Sequence, residues 1–128
     1  METNDFVKSL NEAQDLMREE KYQDALIILD KLKEVDKAGN FKYNLTHKLY
    51  QLISNSQSLY NQQRVLSVIK QISKKQKSIS ILELMRILID QEKAELDEQL
   101  LRREIELLIL RSLLNGRIEG DKIIFQSP

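Results

Sequence analysis

Apolar positions recur at three- and four-residue steps over most of the chain, which is the spacing of one buried helix face. Phe6, Leu10, Ala13, Leu16 and Met17 predict a first helix over 5–20, with Thr3, Asn4 or Asp5 as its cap. Leu26, Leu29, Leu32 and Val35, with Ala25 and Ile28 beside them, predict a second over 22–37. Ala38-Gly39-Asn40 ends it, because glycine enters the left-handed stop conformation at little cost. The break between the two is short, so they pack antiparallel.

Residues 41–77 read as a second helical pair. Leu45, Leu49, Leu52 and Ile53 form one apolar face, and Leu59, Val65, Leu66, Ile69 and Ile72 another. The polar run Ser54-Asn55-Ser56-Gln57-Ser58 is the expected turn. No glycine or proline enforces it, so a single kinked helix is the alternative. Tyr43, Tyr50 and Tyr60 read as aromatics at the edge of a core, and Lys74-Lys75-Gln76-Lys77-Ser78 as a polar hinge.

The last third has the most explicit local signals. Ser80-Ile81-Leu82-Glu83 is a capping box, with Ile79 and Leu84 spaced as a hydrophobic staple, so a helix starts at Ile81. Asp97 caps another, running through Leu100, Leu101, Ile105, Leu108 and Ile109 to Leu113-Leu114, where Asn115-Gly116 stops it. Arg117-Ile118-Glu119 and Lys122-Ile123-Ile124-Phe125 are two short strands about a Gly120-Asp121 turn. The expected fold is mainly α: two antiparallel helical hairpins over 1–77, then a C-terminal winged helix with a short β-hairpin wing over 78–128.

Two resemblances follow. Residues 6–39 resemble one tetratricopeptide-type hairpin, with Ala13 and Ala25 twelve apart as its small contact residues, Tyr22 before the second and Leu29 at a bulky position. The Ile79-Ser80-Ile81-Leu82-Glu83-Leu84 opening, the Leu113-Leu114-Asn115-Gly116-Arg117-Ile118 transition and the Lys122-Ile123-Ile124-Phe125 strand resemble the winged-helix half of a PCI domain. That domain places helical repeats ahead of its winged helix and occurs in scaffolds of the proteasome lid, the signalosome and a large translation initiation factor. The resemblance implies a cytoplasmic protein-binding module rather than a catalyst.

Charge changes the picture more than composition does. The net charge of zero conceals segregation: ten acids and six bases over 1–40, seven bases and no acid over 41–78, ten acids and seven bases over 79–128. Lys42, Lys48, Arg64, Lys70, Lys74, Lys75 and Lys77 are either a patch for an acidic partner or a face neutralised inside the molecule. Helical spacing lets Lys70, Lys74 and Lys77 share one face. The helix over 97–114 carries Arg102, Arg103 and Arg111 against Asp97, Glu98, Glu104 and Glu106, a poor balance for phosphate contact. Nucleic-acid binding is therefore expected to be weak or absent, and a nucleic-acid-binding winged helix is the alternative function.

Chemistry finds few candidates. The chain has no cysteine and one histidine, His47, with no acid in its segment to orient it, and its three glycines form no phosphate loop. No catalytic, cofactor or metal site is expected, and no stretch is apolar enough to span a membrane. The expected function is that of a non-catalytic scaffold or adaptor. Its candidate interface is Leu100, Leu107, Leu110 and Leu114 on the last helix, plus Ile123 and Phe125 on a strand at the sheet edge, where self-association is one outcome.

Overall fold

The computed structural model describes residues 1–126, which form five helices and a small three-stranded antiparallel sheet. They divide into two units, residues 1–60 and the residues from Asn61 onward.

In the first unit, α1 (Thr3–Arg18) and α2 (Tyr22–Ala38) pack on each other through Phe6, Leu10, Ala13, Ala25, Leu29 and Leu32. The expected caps of α1 lie inside the helix instead; Glu2 takes the cap position and makes no side-chain bond there. Backbone hydrogen bonds close the reversal after α1. The Lys21 N–H reaches the Leu16 carbonyl (2.9 Å) and the Glu20 N–H that of Met17 (3.0 Å), with Glu20 left-handed at φ 61°. After α2 the expectation fails at Gly39, which is extended (φ −110°, ψ −174°). Its lack of a side chain serves a close approach, because a Cβ would lie 2.5 Å from the Phe41 ring. That ring stacks on Phe6 with centroids 4.4 Å apart. Ala13 and Ala25 have no exposed surface. Ala25→Leu should overpack this contact and lower stability by about 1–3 kcal/mol. An unchanged unfolding midpoint would refute the close approach.

The expected second hairpin does not form. Tyr43–Ile72 is one 30-residue helix, α3, with no break at Ser54–Ser58. The apolar positions of 45–53 and of 65–72 do not fall on one stripe at 3.6 residues per turn, which is why the sequence reads as two helices. Serine and asparagine lower helix propensity by only fractions of a kcal/mol each, too little to break a helix held by packing toward both ends. Leu49 and Leu52 belong to the core of the first unit, and Val65, Val68 and Ile69 to that of the second. The boundary at 60/61 thus falls within α3, rather than at the polar hinge expected near 77.

The second unit continues with β1 (Ser78–Ser80), α4 (Ile81–Glu92), α5 (Glu98–Leu110), β2 (Gly116–Glu119) and β3 (Lys122–Phe125). Both expected caps are present: Ser80 Oγ accepts from the Glu83 N–H (3.0 Å) and Asp97 Oδ1 from the Leu100 N–H (2.8 Å). Ile79 and Leu84, the expected staple, are buried in one core with Ile81, Leu88, Leu101, Ile105, Leu108 and Ile123. The sheet order is β1-β3-β2. Ile123 pairs with Ile79 on one side and Ile118 on the other, so β3 is the central strand and not the expected edge. The β2–β3 turn is the expected one: Glu119 and Lys122 enclose Gly120-Asp121, with Gly120 at φ 60°. Glycine at the first of two loop positions matches the twist of the strands.

α4 ends on Lys93, left-handed at φ 54°, with the Leu88 carbonyl accepting from the Ala94 N–H at 3.2 Å. A side chain in that conformation carries strain that glycine relieves. Lys93→Gly should raise stability by about 0.5–1 kcal/mol, after the extra freedom of glycine in the unfolded chain is counted. A lowered melting temperature would contradict the left-handed assignment.

Candidate interaction surface

α5 stops four residues earlier than Leu114. The Leu113 N–H returns to the Leu108 carbonyl (2.9 Å) and the Ser112 N–H to that of Ile109 (3.0 Å), with Ser112 left-handed at φ 60°. Those are the paired bonds of a helix stop in which serine takes the place usual for glycine. Gly116 is therefore not the stop. It lies in β2, where a Cβ would sit 2.6 Å from the Ile124 carbonyl oxygen across the strand pair.

This early stop sorts the expected apolar interface. Leu114 and Ile123 turn into the core, at 7% and 0% exposure, so neither is available to a partner. Leu100, Leu107 and Phe125 are half-buried. Leu110 is 79% exposed and Leu113 48%. Beside them lies a hollow of about 360 Å³ lined by Glu106, Ile109, Leu110, Gly116, Arg117 and Ile118. Leu110 thus meets water although the Ile105 and Leu108 side chains on its own helix already fill the core.

The polar side of α5 holds a residue the sequence reading misplaced. Glu104 counted only as one of the acids that oppose phosphate contact, yet it has no exposed surface. Its Oε2 accepts from Gln62 Nε2 of α3 at 2.8 Å, and its Oε1 lies 3.4 Å from an Arg103 guanidinium nitrogen. Arg111 in turn donates to Gln62 Oε1. The signal was present: Glu104 stands three after Leu101 and four before Leu108, inside the apolar stripe. The network ties α5 to the C-terminal part of α3 and so orients the leucine-bearing end of α5.

The basic segment is also re-sorted. Arg64 is half-buried and leaves the candidate patch: it donates to the Glu92 carbonyl at the end of α4 (3.2 Å) and to Asn61 Oδ1 (2.8 Å). Lys70, Lys74 and Lys77 do not share a helix face, because α3 ends at Ile72 and residues 73–75 form a turn. Lys70, Lys74, Lys75 and Lys77 are nonetheless exposed, as are Lys42 and Lys48 in the first unit. No ion pair engages these six among the described residues. Lys74 and Lys75 border a shallow hollow of about 440 Å³ with Gln71, Ile72 and Gln76.

Of the tyrosines expected at core edges, Tyr60 is half-buried, whereas Tyr43 is 82% and Tyr50 40% exposed. His47 is exposed and stacks on Tyr43 with centroids 5.9 Å apart. Among the described residues no group of three or more His, Asp or Glu side chains is placed to hold a metal ion. No helix among them is long and apolar enough to cross a membrane. Comparison with protein families, curated proteins and solved structures finds no match.

Proposed function

We propose that the chain is a protein-binding adaptor whose C-terminal unit is a winged helix of the kind seen in PCI scaffolds. Support for the winged-helix reading comes from element order: the end of α3, then β1, α4, α5 and the β2–β3 hairpin, with strand order β1-β3-β2. The observation that carries the binding function is the exposed pair Leu110 and Leu113 beside the α5–β2 hollow. An apolar surface next to a shaped cavity is stabilised when a partner's apolar side chain covers it. Glu106 and Arg117 at the rim supply the polar surround.

Leu110→Asp tests this. Leu110 adds little to the core, so the unfolding midpoint should stay within about 0.5 kcal/mol of the parent. Chains that co-purify with the parent protein from its native cell should be lost with the variant, by tenfold or more. Retention of the same chains by Leu110→Asp would move the interface elsewhere.

The six exposed lysines favour a second reading, nucleic-acid binding through the basic segment. Lysines contacting phosphate without base readout give weak, salt-sensitive binding. Titration with duplex DNA and with RNA should show association at low salt that fades by physiological salt. Tight, sequence-selective binding at physiological salt would replace the adaptor reading.

A further inference from the structure

We infer that the β2 edge pairs with the β2 edge of a second copy of this chain, about a two-fold axis through Ile118. The inference goes beyond the adaptor reading and does not depend on it, because it concerns a different partner and the backbone of a different element.

Three observations converge on this edge. The first is that β2 is a terminal strand of the sheet. Glu119 and Lys122 enclose a two-residue loop, and such a closing pair exchanges both its backbone hydrogen bonds. The N–H and C=O of Glu119, and by alternation those of Arg117, therefore face β3, while those of Ile118 point to the open side. No hydrogen bond from another element reaches Ile118 among the described residues. A free edge of this kind is a template for another strand.

Charge is the second observation. Arg117 and Glu119 flank Ile118 on the same face of the strand, both about half exposed, with Arg117 Nε 3.2 Å from Glu119 Oε1. In an antiparallel pair centred on Ile118, Arg117 of each subunit lies opposite Glu119 of the partner subunit. The two intrachain pairs then close into a ring of four alternating charges. Edge strands that avoid pairing carry charges that repel a copy of themselves; this edge carries charges that attract one, in this register alone. Slipping the pairing by two residues sets like charges opposite each other or removes the match.

The third observation is apolar surface along the same edge. Ile118, Ile109 and Leu110 line one hollow, and Leu110 is 79% exposed. A partner strand beside β2 covers part of this surface. Four residues per strand make a small interface, so association belongs in the micromolar to millimolar range.

The test uses charge exchange. Sedimentation equilibrium on the full chain, from about 10 μM to 1 mM at low salt, should show a reversible dimer. Arg117→Glu sets two glutamates opposite two glutamates, and Glu119→Arg sets two arginines opposite two arginines. Each variant alone should dimerise about tenfold more weakly. An equimolar mixture of the two should recover the parent's association, because every cross-pair is then Glu opposite Arg. The double exchange Arg117→Glu/Glu119→Arg should also recover it. Matching circular dichroism of all variants shows that the fold is retained, as expected for exposed side chains. A parent chain that stays monomeric to 1 mM overturns the inference. So does a dimer indifferent to the single exchanges, or a mixture of singles that fails to recover association.

Discussion

Glu104→Ala should lower the unfolding free energy by about 3 kcal/mol, the joint cost of a lost buried hydrogen bond and of an unfilled space. The carboxylate is fully buried, and its acceptor role for Gln62, itself 4% exposed, crosses from α5 to α3. Alanine removes that acceptor from a buried amide and leaves four heavy atoms' worth of void. Breaking a buried polar pair from one side costs more than the pair is worth, because the remaining group cannot return to water. Glu104→Gln keeps the volume and one oxygen, so it should cost only about 1–2 kcal/mol. Denaturant unfolding at fixed pH measures both. Equal midpoints for parent and Glu104→Ala would show that this carboxylate is solvated after all.

Phe6→Ala should cost about 3–5 kcal/mol, the range for truncating a buried aromatic. Phe6 has no exposed surface, packs in the first unit's core and stacks on Phe41. That core is small: besides Phe6 it holds Leu10, Ala13, Ala25, Leu29, Leu32, Leu49 and Leu52. The surrounding side chains relax only in part into the space that truncation leaves, so a cavity cost adds to the lost burial. Amide hydrogen exchange should locate the loss, with protection falling in α1 and α2 more than in α4 and α5. Uniform loss across both units would mean that the chain opens only as a whole.

What could be read in advance was what depends on near neighbours in the chain. The Ser80 and Asp97 caps, the start of α4 at Ile81 and the Gly120 turn each rest on contacts within four residues. Features that depend on distant partners were misread. β1 is Ser-Ile-Ser, too short and too polar to announce a strand, and it exists because β3 offers Ile123 opposite Ile79. The end of α5 was misplaced because Ser112, unlike glycine, carries no expectation of a left-handed conformation. Leu114 and Ile123 were offered as interface because one helix or strand alone does not reveal which apolar face its neighbours cover. Leu110 survived that sorting and Glu104 was missed by it, for the same reason: burial is settled by packing between elements, not by the residue type.

The placement of β3 between β1 and β2 also sets an order of events during synthesis. β1 has no pairing partner in the sheet other than β3, and Ser78 is made 46 residues before its partner Ile124. At roughly 5–20 residues per second the ribosome needs about 2–10 s to supply that partner. α4 and α5 close on local contacts far faster than that. Throughout this interval Ile79 has no strand beside it, and once α4 and α5 have been made the nascent chain carries a bare β segment next to finished helices. A ribosome paused between residues 81 and 121 prolongs the one period in which this unit is most open to pairing with the wrong strand.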